Sequence, residues 1–175
     1  MSIGKEYLKA VRGRFNHLKD LGDRAVAQLD GQDIHYVPGP ESNSIAVIVR
    51  HLSGNMISRW TDFLTTDGEK PDRNRDGEFE TVPVTRAELL DISEAGWQTL
   101  FGALDRLDEE DLLKTILIRG ERHTVIEAIE RHLSHVASHI GQIVYIAKVL
   151  KGNEWETLSI PKGQSEACRT KTPEQ

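Results

Sequence analysis

The sequence predicts an all-α protein, an antiparallel four-helix bundle, from three observations. Apolar residues recur at three- and four-residue steps in four stretches, capping residues open three of them, and the connections are short to moderate. In the first stretch Ile3, Tyr7, Val11, Phe15, Leu18, Leu21, Ala25 and Leu29 form one stripe of a helix over residues 3 to 29. Pro38, Gly39 and Pro40 break the pattern, and Asn43-Ser44 offers caps for a second helix over 45 to 64, with Ile45, Val49, Leu52, Met56 and Phe63 facing inward. The polar, turn-rich segment from Thr65 to Glu78 is a long loop rather than a strand.

The third helix begins at Thr85-Arg86-Ala87-Glu88, a capping box with Val84 and Leu89 as its apolar staple. Its stripe runs through Ile92, Ala95, Leu100, Leu104 and Leu107, before the acidic run from Asp108 to Asp111. Thr115-Ile116-Leu117-Ile118 and His123-Thr124-Val125 flank a glycine turn and suggest a small hairpin. A second capping box, Thr124-Val125-Ile126-Glu127, opens the fourth helix, which runs to about Leu150 before Gly152 stops it. Trp155, Leu158, Ile160 and Pro161 predict a C-terminal extension folded back on the bundle. Residues 1–168 read as a single domain and 169–175 as a flexible tail.

Composition narrows the function. With 175 residues, 38% of them hydrophobic and 29% charged, the chain suits one soluble domain. Its formal charge of −6 argues against nucleic acid as a partner. The absence of a long apolar run argues against a membrane span, and no apolar signal core follows Met1. The single cysteine, Cys168, excludes an internal disulfide and a cysteine-cluster zinc site; it fits the cytoplasm and lacks the neighbouring base of a nucleophile.

Three of the seven histidines fall between positions 132 and 139. On a helical wheel His132, His135 and His139 border the apolar stripe of the fourth helix, where an imidazole needs partners for its nitrogens. His135 and His139 are four residues apart, so one metal ion can be reached by both rings. His51, between Ile48 and Leu52 on the second helix, is the candidate third ligand. Neutral imidazoles in this arrangement suit Zn²⁺, Ni²⁺ or another borderline ion. The residues between the pair are Val136, Ala137 and Ser138, so the HExxH pattern of zinc peptidases is absent. His132 reads as a packed or supporting residue rather than a ligand, and His17, His35 and His123 lack a partner pattern. Trp60, Trp97 and Trp155 read as packing residues. Arg73 and Arg75 amid Asp72, Asp76 and Glu78 suggest a solvated, self-paired loop that could also cover a site.

His51, with His135 and His139 followed by Gly141-Gln142-Ile143, resembles the DinB/YfiT-like metalloenzyme superfamily, whose last helix carries a His-x3-His-x-Gly-Gln signature. Asn43-Ser44-Ile45-Ala46, His51-Leu52-Ser53-Gly54-Asn55, Arg59-Trp60, Asp67-Gly68-Glu69-Lys70, Ile118-Arg119-Gly120-Glu121 and the segment from Trp155 to Pro161 resemble a branch of it without an assigned function. The resemblance implies a four-helix bundle, a site for Ni²⁺ or Zn²⁺ at one end formed by His51, His135 and His139, and a homodimer. It also implies the chemistry of better understood relatives, which transfer or isomerise with low-molecular-weight thiols.

The expected function is therefore that of a divalent-metal-dependent enzyme acting on a small molecule, a thiol transferase before a hydrolase. Three neutral ligands leave the ion open positions and its full charge. Asn55, one turn after His51, and Gln142, three residues after His139, would orient a ligand, and Arg59 would balance an acidic substrate. The alternative is a non-catalytic dimeric protein whose ion only pins two helices or senses metal.

Overall fold

The computed structural model describes residues 2–166 and is mostly helical, with four long helices and one small sheet. The helices are α1 (Ile3–Ala27), α2 (Ile45–Trp60), α3 (Arg86–Leu104) and α4 (Val125–Lys151). Strands β1 (Thr115–Ile118) and β2 (Glu121–Thr124) pair antiparallel, with Thr115 opposite Thr124 and Ile118 opposite Glu121. The expected hairpin is present, so the fold is not purely helical. Cys168 and the expected tail at 169–175 lie outside the described residues.

Local chemistry explains where the helices start. Ser2 and Ser44 accept from the backbone N–H groups of Lys5 and Val47, and complete capping boxes form at Thr85/Glu88 and Thr124/Glu127. α4 ends at Lys151 because Gly152 takes a positive φ of 51°. α2 stops at Trp60, short of Leu64, since Asp62 turns the chain at φ 47°.

Helix α2 lies against α3, α4 and the 3₁₀ turn Asp76–Phe79, while α1 packs chiefly on α4. Packing on several sides buries α2 nearly all round, well beyond the single stripe its periodicity suggests. Two stripe positions depart from expectation. Ile3 is 91% exposed, because Glu109 and Leu112 close on the bare Cα of Gly4 and turn the neighbouring residue outward. In α3, Ala95 is exposed and Gly96 is buried, since the helix crosses α2 where Ser53 leaves no room for a side chain. Trp60 and Trp97 are core residues, as expected.

After α4, Trp155 and Leu158 pack on the core, and Gln28 exchanges two hydrogen bonds with the Glu156 backbone, so the extension returns to the body of the protein. Ile160 does not join it and stays half exposed. Among the described residues no helix is long and apolar enough to cross a membrane.

Candidate metal centre

The ligand atoms of His51, His135 and His139 all lie within 4.8 Å of one another, so the three histidines could hold a metal ion. α2 supplies the first and α4 the other two, one helical turn apart. Nε2 of His51 faces Nε2 of His135 at 3.1 Å. Two nitrogens bound to one zinc ion at ~2.0–2.1 Å stand about 2.9–3.4 Å apart, depending on the bond angle, so this spacing fits a shared cation.

The outer nitrogens also fit. Nδ1 of His51 donates to Oε2 of Glu78 at 2.9 Å, and Nδ1 of His139 donates to Oε1 of Gln142 at 3.0 Å. Each bond fixes the tautomer that leaves Nε2 unprotonated toward the cluster, the arrangement by which a second carboxylate or carbonyl orients a ligating histidine. The buried Nδ1 of His135 has no such partner among the described residues.

Burial holds the two α4 candidate ligands neutral. Desolvation pushes the His135 pKa down to about 3, and the nearby His139, His51, Arg59 and Arg73 add to the effect. Burial lowers His139 as well, and it lowers the buried His132 well below the ordinary histidine value. Neutral imidazole is the form that binds metal.

Glu78 is the residue that pattern reading missed. It lies in the segment expected to be solvated, yet it is only 9% exposed and sits under His51. Arg73, its side chain 4% exposed, grips the Glu78 carboxylate with Nε at 2.7 Å and Nη2 at 2.8 Å, and reaches Glu69 with Nη1. Burial raises the Glu78 pKa, but the bonds from His51 and Arg73 outweigh it and hold the carboxyl below its usual range. Arg73 and Glu78 are thus paired within the loop, as expected, but buried against the site, whereas Asp72, Arg75 and Asp76 stay exposed. The paired charges can leave water because a bidentate guanidinium and an imidazole N–H satisfy the carboxylate. The usable signal was chemical: a buried ligating histidine needs an acceptor, and this loop carries the acids.

His51 and His135 line an open cavity of about 180 Å³ together with Asn55, Arg59 and His132. Asn55 and Arg59 therefore stand beside the cluster, whereas Gln142 reaches it through His139 and is otherwise exposed. His132 lies deeper, with ring centroids 5.7 Å from Phe15 and 5.4 Å from Trp60, and is not part of the three-histidine cluster. His35 has a structural partner, the Val84 carbonyl at 2.9 Å.

The chain matches no curated protein. A family model matches residues 2–164, nearly all of the described chain, and covers every residue of the centre described above. The chain belongs to the family described as "Protein of unknown function (DUF1572)".

Proposed function

We propose that this protein is a divalent-metal-dependent enzyme of the DinB/YfiT-like superfamily, an antiparallel four-helix bundle that transfers a low-molecular-weight thiol to a small electrophile in the cytoplasm. The observation that carries the reading is the three-histidine cluster, with Glu78 behind His51 and an open cavity in front of it. His51, His135 and His139 would hold Zn²⁺ or Ni²⁺. Such an ion, bound by neutral ligands, supplies Lewis acidity that favours the deprotonated form of a thiol or water.

This chain's own residues do the rest. The Glu78 carboxylate holds the His51 ring in one tautomer and orientation, and Arg73 holds Glu78. Gln142 does the same for His139 from outside. The Asn55 amide and the Arg59 guanidinium line the cavity and can orient a polar ligand there. The cavity favours a catalytic site over a purely structural ion, because structural zinc sites close all four positions with protein ligands. A homodimer is the proposed assembly, on the resemblance to that superfamily.

The deciding measurement is metal content by mass spectrometry, on protein purified without an affinity tag or added metal. A variant combining His51→Ala, His135→Ala and His139→Ala is the comparison. The expected result is about one equivalent of Zn²⁺ or Ni²⁺, absent from the variant. Wild-type protein that stays metal-free when titrated with both ions overturns the reading. With metal established, thiol-dependent displacement of halide from an aryl halide, forming the C–S bond and releasing a proton, tests the transferase step.

A further inference from the structure

The cavity in front of the histidines is cationic in a way that the proposed metal does not require. Four arginines line it, Arg59, Arg75, Arg119 and Arg131, and no aspartate or glutamate does. They come from four places: α2, the loop before Phe79, the tip of the β1–β2 hairpin, and α4. The chain as a whole carries a formal charge of −6, so this concentration of guanidinium groups runs against its composition.

Two of the four are held at a cost. Arg59 is only 7% exposed and its Nε has no hydrogen-bond partner among the described residues. Burial lowers its pKa to about 10, and the like charges of Arg131, Arg119 and Arg73 oppose it further, Glu69 being the one opposing carboxylate. A buried guanidinium that forms no ion pair of its own, with Glu69 already engaged by Arg73 and Arg119, is a destabilising arrangement that an incoming anion relieves.

Arg119 occupies the left-handed region at φ 55°, followed by Gly120 at φ 75°, in a two-residue hairpin turn where Asn or Gly would be less strained. The strain is held by Asp67, whose carboxylate accepts from the N–H groups of Arg119 at 2.8 Å and Gly120 at 2.7 Å. Asp67 pins the backbone of the turn and thereby sets Arg119 at the cavity rim. Its Nε meets Glu69 at 3.2 Å, so Arg119 is partly balanced, whereas Arg59 and Arg131 form no ion pair among the described residues.

We infer that this cavity binds a small molecule carrying two or more anionic oxygen groups, carboxylate or phosphate, through Arg59, Arg131 and Arg119, with its reacting end toward the histidines. Planar guanidinium groups bind either group bidentately, and one buried arginine facing a cavity ringed by three exposed ones, with no carboxylate in its lining, accommodates more than one negative charge. The inference deepens the proposed function by naming its substrate class, and it rests on that reading only for where the reacting end lies.

The test is calorimetric titration of the full-length protein, metal-free and zinc-loaded, with succinate and with inorganic phosphate, and with acetate as a singly charged control. Saturable binding of succinate or phosphate to the metal-free protein is expected, with acetate weaker; which of the two binds more tightly separates dicarboxylate from phosphate ligands. Arg131→Gln and Arg119→Asn are each expected to weaken binding about tenfold, the loss of one charge-assisted hydrogen-bonding group. Arg119→Asn also relieves the strained turn, so its melting temperature should equal or exceed that of wild type while anion affinity drops; a merely structural arginine would not separate the two. No saturable binding, or unchanged affinity in both variants, overturns the inference. Failure of the metal reading appears separately, as absent zinc with anion binding intact.

Discussion

The Glu78 carboxylate accepts a hydrogen bond from Nδ1 of His51 at 2.9 Å, with both side chains almost wholly buried. The contact joins a helix to a loop 27 residues further along the chain, and it presents the opposite ring nitrogen to the histidines of α4. Its disruption should be read in metal affinity before it is read in fold.

Glu78→Gln keeps the shape of the side chain but removes the charge that His51 and Arg73 share. Supporting residues of this kind change metal affinity by about 10- to 100-fold. Zinc affinity measured by competition with a chromophoric chelator should fall by that amount, with the far-ultraviolet circular dichroism spectrum unchanged. A wild-type affinity would show that Glu78 does not position the ligand.

Gly54 offers an independent handle on the same contact. A Cβ at this position would collide with the Glu78 carboxylate and lie 2.8 Å from its Cδ. Alanine inside an exposed helix ordinarily adds about 0.5–1 kcal/mol of stability over glycine. Gly54→Ala should forgo that gain and weaken zinc binding, because the carboxylate has to leave its place beside His51. Full stabilisation in a denaturant melt with unaltered zinc affinity would refute this account.

Gly96 marks where α3 crosses α2. Its added Cβ would stand 2.7 Å from the Cα of Ser53, a backbone atom that cannot swing aside. Gly96→Ala should therefore destabilise by about 1–3 kcal/mol, the usual cost of overpacking. For a domain of this size that is a drop of roughly 2–4 °C in melting temperature per kcal/mol, measurable by calorimetry.

Acid should destabilise the metal-free protein through His135, His139 and, most deeply buried of the three, His132. Burial keeps the His132 imidazole neutral in the fold, with its pKa well below the ordinary 6.5, while the unfolded chain takes up the proton. The unfolded state then binds more protons as the pH falls below about 6.5, so the stability present at neutral pH is progressively lost on acidification. One imidazole held neutral in the fold accounts for about 1 kcal/mol between pH 7 and pH 5.5. His132→Leu should partly flatten the fall of melting temperature over that interval; an equally steep fall would assign the acid sensitivity elsewhere.

Features that depend on near neighbours in the chain were legible in the residues alone. The capping boxes at Thr85 and Thr124, a glycine turn between Ile118 and His123, which the structure tightens to Arg119-Gly120, the stop at Gly152 and the pairing of His135 with His139 involve groups at most four residues apart, where backbone geometry decides which atoms meet. His51 could be added because a histidine bordering an apolar stripe faces the interior, where another helix must cover it. The exposure of Ile3 and the burial of Gly96 could not be read this way, since periodicity gives a helix its apolar face but not where a neighbour approaches.

The amino-acid order by itself thus determined four amphipathic helices, a small hairpin and three histidines that could meet, all consequences of local periodicity and capping. Only the tertiary structure decided that Glu78 and Arg73 lie under His51, and that Arg59, Arg75, Arg119 and Arg131 ring one cavity. Those contacts join separate elements, and they form where helix packing and the path of a 25-residue connection between α2 and α3 bring charged groups out of water together, which spacing along the chain does not encode.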